Sequence, residues 1–88
     1  MTDLEIAGSE ALVVGGAGFV GSNLVLRLLE QGVDRVTIVD NLLSSTAANI
    51  PFDDRISFIH GSIADQRILN QIPQHLDFVW HLACYHGN

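Results

Sequence analysis

The chain contains no lysine. Its four basic residues, Arg27, Arg35, Arg55 and Arg67, are all arginines and face ten Asp and Glu, for a formal net charge of −6. That balance argues against nucleic acid or an anionic membrane surface as a partner. The missing lysine removes lysine-based catalysis from these residues. It also removes the phosphate-binding Gly-Lys-Ser/Thr loop, since Ser22 follows Gly21 directly. One cysteine, Cys84, excludes an internal disulfide and suits a reducing compartment. Met1-Thr2-Asp3-Leu4-Glu5 is acidic and lacks the basic and apolar regions of a signal peptide. No apolar run approaches the ~18 residues of a membrane span. The expected location is cytoplasmic, with no membrane partner. Four scattered histidines without short ligand spacing predict no metal site.

At 88 residues the chain is one domain at most, and 48% hydrophobic residues with a mean hydropathy of +0.30 fit a packed core. The richest stretch is Ala11-Leu12-Val13-Val14-Gly15-Gly16-Ala17-Gly18-Phe19-Val20-Gly21. A short apolar strand is followed by Gly15, Gly18 and Gly21 at the point where strand must become helix. This is the layout of a dinucleotide-binding βαβ unit. The first glycine permits a tight turn, and the second lets the backbone approach a pyrophosphate without a Cβ in the way. At the third, a side chain would hold helix and strand apart. The helix start offers unpaired N–H groups and the positive end of its dipole. Gly16 to Gly21 also satisfies G-x-G-x-x-G. A second apolar run, Val36-Thr37-Ile38-Val39, ends in Asp40, 19 positions after Gly21, where an acidic residue meets ribose hydroxyls. The bland alternative is a ligand-free glycine turn with an ordinary strand-end aspartate. The conjunction of strand, spacing, helix and acid favours binding.

Ala11 to Val14 reads as the first strand, unbroken because both faces of a parallel sheet are covered. Residues 1–10 read as a loose lead-in. From Phe19 to about Gln31, Val20, Leu24 and Leu28 with Val25 and Leu29 recur at helical spacing, and Gly32 is placed to stop the helix. Arg35 to Asp40 is the second strand. Asn41 to Asp54 is irregular, with room for one helical turn. Ile56 to Ile59 is the third strand. A short helix starts near Asp65, which can cap it, and Ile68, Leu69 and Ile72 are expected to face the sheet. Phe78-Val79-Trp80 is the core of the fourth strand. The fold class is α/β, a Rossmann-type doubly wound parallel sheet with right-handed crossovers and expected strand order 3-2-1-4. A cofactor would lie across the carboxyl ends of the strands, at the switch between the first and fourth.

Gly15 to Gly21, Val39-Asp40-Asn41-Leu42, His60-Gly61-Ser62-Ile63-Ala64-Asp65 and His81-Leu82-Ala83 together resemble the N-terminal part of extended short-chain dehydrogenases/reductases. Within that superfamily the chain resembles the NAD-dependent epimerase/dehydratase family, whose members mostly act on nucleotide sugars. The resemblance implies that Gly15, Gly18 and Gly21 line the pyrophosphate, with Phe19 and Val20 supplying backbone donors. It implies that Asp40, with Asn41 beside it, accepts from the adenosine ribose hydroxyls, and that Ile63 contacts adenine. Ser62 stands where the family often has an acid, so its bond to the adenine amino group would be neutral and from a shorter arm. Leu82, Ala83 and Cys84 would flank the nicotinamide half, Cys84 as a small buried hydrophobe. A carboxylate at position 40 repels a 2′-phosphate, which favours NAD over NADP.

The family's chemistry, hydride exchange at a sugar carbon, uses a Ser/Thr and a Tyr-x-x-x-Lys pair that is absent here. Tyr85 is the only tyrosine and no lysine follows it. No catalytic residue is therefore assigned, and Tyr85 and His86 read first as loop residues. Residues 1–88 are expected to be the N-terminal portion of an NAD(P)-binding domain, without the catalytic region or a substrate domain. The unprotected apolar run at Phe78–Trp80 expects a neighbouring strand. At roughly 25 cal/mol per Å2, leaving a few hundred Å2 bare forgoes several kcal/mol. A piece of a longer enzyme, or a short protein that dimerises over this edge, would resolve that. The implied partners are NAD and a nucleotide sugar, in a homo-oligomer with a dimer as one option. A non-catalytic NAD-binding module and an NADP- or FAD-binding Rossmann protein are the alternatives.

Overall fold

Four parallel strands lie in the order 3-2-1-4, and helical segments cross between them. The computed structural model describes residues 6–42 and 47–82. In chain order these form β1 (Glu10–Val14), α1 (Phe19–Glu30), β2 (Arg35–Asp40), a single 3-10 turn (Ala47–Asn49), β3 (Ile56–His60), α2 (Gln66–Leu69) and β4 (Phe78–His81). The expected strand order is observed, and the described part of the β2–β3 connection holds a single 3-10 turn.

Register fixes which residues share a face. Trp80, Val13, Ile38 and Phe58 form one rung, and Val79, Leu12, Thr37 and Ser57 form the next. Alternate residues point to opposite faces, so the sheet carries two cores. The first packs Ala11, Val13, Val36 and Ile38 against Val25, Leu28 and Val33. The second joins Leu12, Val14 and Val39 to Ile68. Each fully buried Val or Ile side chain contributes about 1.5–3 kcal/mol by leaving water.

Helix α1 ends as its sequence suggests. Gly32 takes φ +88°, its N–H donates to the Leu29 carbonyl (3.1 Å), and the Val33 N–H reaches back to Leu28 (3.1 Å). This paired closure needs a left-handed residue and buries the one after it. The Arg55 guanidinium adds a cap in trans, donating to the Leu29 and Val33 carbonyls at 3.1 and 3.4 Å. Asp53 holds that guanidinium through two side-chain bonds of 2.9 Å.

Three expectations are corrected. Part of the lead-in is not loose: Ile6 and Ser9 are buried, the Ser9 hydroxyl donates to the Ile6 carbonyl (2.6 Å), and the Gly8 N–H donates to Gly32 (2.9 Å). Leu4, Ile6 and Ala7 are too few and too close together to carry a period, so this docking left no pattern. Val20 leaves the buried stripe of α1 and is 66% exposed. It belongs to the first turn, at the carboxyl edge of the sheet. Leu69 faces outward at 42% exposure, because α2 is one turn long and only Ile68 is buried from it. Asp65 does cap that turn, its carboxylate accepting from the Arg67 N–H at 2.9 Å. Strand β4 borders the sheet among the described residues, with Val79 57% exposed.

Candidate functional site

Parallel strands place all their carboxyl ends on one edge, and most of the sequence-predicted site residues gather there. Gly15 follows β1, Asp40 ends β2, Ser62 and Ile63 follow β3, and Leu82 follows β4. Leu82 donates its N–H to the Val14 carbonyl at 2.8 Å. Ala83, Cys84, Tyr85 and His86 lie outside the described residues.

The loop between β1 and α1 needs its glycines for different reasons. Gly15 has φ +91°, where a side chain is strained, and its N–H donates to the Val39 carbonyl at 2.7 Å. A methyl at Gly16 would sit 2.6 Å from Ile38 Cγ2. A methyl at Gly21 would strike the Gly15 carbonyl oxygen and lie 2.7 Å from the Gly16 Cα. The third motif glycine therefore packs on the loop itself rather than on the strand. Gly18 differs: its φ is an ordinary −77°, and among the described residues a methyl there would have only the Gly15 carbonyl oxygen within 4 Å, at 3.6 Å. Among the described residues its α-carbon is otherwise open on that side.

Gly18 is also the N-cap of α1 and supplies no side-chain bond. The first intrahelical bond here runs from the Ser22 N–H to the Gly18 carbonyl at 2.8 Å. The N–H groups of Phe19, Val20 and Gly21 precede it, so the helix has no acceptor for them. With the helix dipole behind them, such a group of donors is chemically suited to an anion. The exposed Phe19 and Val20 side chains flank it.

Asp40 is 9% exposed and turns its carboxylate toward the glycine loop. One oxygen accepts from the Ala17 N–H at 3.0 Å and the other from the Leu42 N–H at 2.8 Å. Leu42 takes φ +61°, unusual outside glycine. The Asn41 carbonyl lies 3.2 Å from His60 Nε2, and Asn41 itself is exposed. The Ser62 hydroxyl accepts from the Ala64 N–H at 3.1 Å. A hydroxyl has two acceptor lone pairs, so this turn does not exhaust it. Ile63 is half-buried against the second core.

Sequence reasoning missed Asn49 in the 3-10 turn. Its side-chain amide donates to the Ala17 carbonyl at 2.9 Å. Ala17, fully buried, is thus held on its N–H by Asp40 and on its carbonyl by Asn49. A lone asparagine in an irregular polar stretch has no spacing that announces a partner 32 residues away.

The shifted acids lie elsewhere. Asp53 is lowered to about 2, chiefly by its side-chain bond to Arg55. Arg67 beside Asp65 and the Glu10 N–H beside Asp77 hold those carboxyls below their ordinary range. No cluster of three His, Cys, Asp or Glu able to hold a metal occurs among the described residues. No helix among them is long and apolar enough to cross a membrane.

A parallel 3-2-1-4 sheet, a glycine turn opening a helix and an acid at the end of β2 define a Rossmann-type nucleotide-binding fold. Residues 11–88 match the NAD dependent epimerase/dehydratase family, and the chain belongs to that family. It is 40% identical over 79 residues to UDP-glucose 4-epimerase of Yersinia enterocolitica, covering 82% of this chain and 23% of that enzyme. It is 34% identical to dTDP-glucose 4,6-dehydratase of Streptomyces antibioticus, covering 82% and 24%. Among solved structures, Bordetella bronchiseptica WbmF in complex with NAD+ superposes with a TM-score of 0.89 at 50% identity, covering 97% of this chain and 26% of WbmF. The same enzyme has been solved with NAD+ and UDP. The chain spans about a quarter of the length of these relatives.

Proposed function

We propose that these residues form the NAD-binding part of a nucleotide-sugar epimerase or dehydratase. The observation that carries the reading is the pairing of an uncapped helix start behind Gly18 with the buried Asp40 carboxylate at the neighbouring strand end. Gly18 leaves room for a diphosphate to approach the main chain, and the N–H groups of Phe19, Val20 and Gly21 would donate to it. Asp40 would accept from the adenosine ribose diol and repel a 2′-phosphate, which selects NAD over NADP. Ser62 and Ile63 would border adenine, and Leu82, Ala83 and Cys84 the nicotinamide end. The WbmF complexes with NAD+ support this assignment, and the complex with UDP supports a nucleotide sugar as substrate.

Bound NAD supplies reversible hydride exchange at a sugar carbon. What these residues contribute is binding and orientation: anion donors at one end, a diol acceptor at the other, and a rigid sheet edge between. The proposal includes a cytoplasmic, homo-oligomeric enzyme, and the single cysteine among these residues supports a reducing compartment. The intact protein incubated with NAD+ and UDP-glucose or dTDP-glucose, followed by NMR, tests the reading. A 4-epimer or a dehydrated keto sugar is expected. NAD+ binding without turnover of any nucleotide sugar would reduce the function to a binding module.

A further inference from the structure

We propose that Asn49 is a positioning residue for the dinucleotide site, setting the peptide that leads into the N-cap of α1. The inference rests on the NAD-binding reading above. Next to Ile50, which packs against the first core, Asn49 closes the 3-10 turn Ala47–Asn49 and is itself exposed. Its amide nevertheless spans to the glycine loop and donates to the Ala17 carbonyl at 2.9 Å. That carbonyl belongs to the Ala17–Gly18 peptide, whose plane fixes the orientation of Gly18. Gly18 in turn fixes the first turn of α1, where the N–H groups of Phe19, Val20 and Gly21 are aimed.

Asp40 alone leaves that peptide under-determined. Its carboxylate grips the N–H of Ala17, on the preceding peptide, at 3.0 Å. The Gly18 N–H of the Ala17–Gly18 peptide donates to the Gly15 carbonyl, a long bond of 3.3 Å that holds the peptide from within the loop. Asn49 holds its carbonyl from the other side at a shorter 2.9 Å. Asp40 ends β2 where the β2–β3 connection begins and Asn49 sits near the middle of that connection, so the connection that begins with the diol acceptor also returns to orient the anion donors. The geometry is that of a preformed anion site, in which the orientation of the donors is set before the anion arrives.

A neutral hydrogen bond of this kind is worth about 0.5–1.5 kcal/mol, or roughly a two- to twelvefold change in an equilibrium constant. The test uses the intact protein with NAD+ as the probe. Thermal unfolding is measured without nucleotide and NAD+ affinity by calorimetry, for the wild type, Asn49→Ala, Asn49→Asp and Asn49→Gln. Asn49→Ala is expected to weaken NAD+ binding about three- to tenfold and to lower the nucleotide-free Tm by only a few degrees, about the loss of one hydrogen bond of an exposed residue. Asn49→Asp keeps the size but replaces the donor with an acceptor facing a carbonyl, so it is expected to weaken binding at least as much. Asn49→Gln keeps the donor on a longer arm and is expected to recover part of the affinity. An NAD+ Kd unchanged in both Asn49→Ala and Asn49→Asp would overturn the inference. So would a lowered Tm with unchanged affinity in the folded protein, which is the mark of a merely structural bond. Failure of the wild type to bind NAD+ would instead remove the site reading itself.

Discussion

The carboxylate of Asp40 accepts a hydrogen bond from the Ala17 N–H at 3.0 Å, tying the end of β2 to the tip of the glycine loop. The residue proposed to meet the ribose is therefore also part of the wall that shapes the diphosphate site. Removing it acts on both.

Asp40→Ala would leave the buried Ala17 N–H without its acceptor and free the Leu42 N–H. The expected cost is about 1–3 kcal/mol of stability, with weakened NAD+ binding in addition. Urea unfolding and NAD+ calorimetry on the same preparation measure both. Asp40→Asn keeps one acceptor and one side of the geometry, and is expected to lose discrimination against NADP+ more than it loses stability.

The glycines separate folding from binding. Gly21→Ala places a methyl against the main chain of Gly15 and Gly16, so a lowered Tm is expected before any effect on nucleotide. Gly18→Val adds bulk into open space at an ordinary φ of −77°. Its fold is expected to survive by thermal unfolding while NAD+ binding is lost through steric block. Equal loss of Tm in both variants would show that Gly18 is needed for the loop rather than for a ligand.

Asp53 and Arg55 give a pH signature. The guanidinium lowers the Asp53 carboxyl from 3.8 to about 2. A carboxyl lowered in the folded state contributes stability that is present above its unfolded value and lost as pH falls through the folded one. The difference in unfolding midpoint between wild type and Asp53→Asn is therefore expected to be constant above about pH 4 and to shrink toward pH 2. Asp65 and Asp77 shift in the same direction, but they remain in both proteins and cancel. Urea midpoints taken across pH 2 to 7 would show it. Arg55→Met is expected to destabilise as well, since the guanidinium closes two carbonyls at the end of α1.

Thr37 sits on the second face of β2 with its hydroxyl buried and without a hydrogen-bond partner among the described residues. Valine has the same shape and no polar atom to desolvate. Thr37→Val is expected to be neutral or to stabilise by up to about 1 kcal/mol, read from the urea midpoint.

Continuous apolar runs made β1 and β2 legible in the sequence, because central parallel strands are buried on both faces. Val25 and Leu28 at helical spacing announced α1, and Gly32 its end. Strand order followed from the handedness of the crossovers. The features that escaped were bonds from a polar side chain to backbone, two of them to distant residues, Asn49 to Ala17 and Arg55 to the end of α1, and one local, Ser9 to Ile6 within the docked lead-in. None leaves a period or a spacing in the sequence. The loop glycines and Asp40 were visible because their motif is local. The finer assignment, that Gly16 and Gly21 serve the loop while Gly18 faces outward, needed the backbone.

The most direct test is the structure of the intact protein crystallised with NAD+. The diphosphate is expected within hydrogen-bond distance of the main-chain N–H groups at the start of α1, beside Gly18, with the adenosine ribose hydroxyls on Asp40. A nucleotide bound elsewhere, or a glycine loop closed by the protein's own atoms against the diphosphate, would contradict the account.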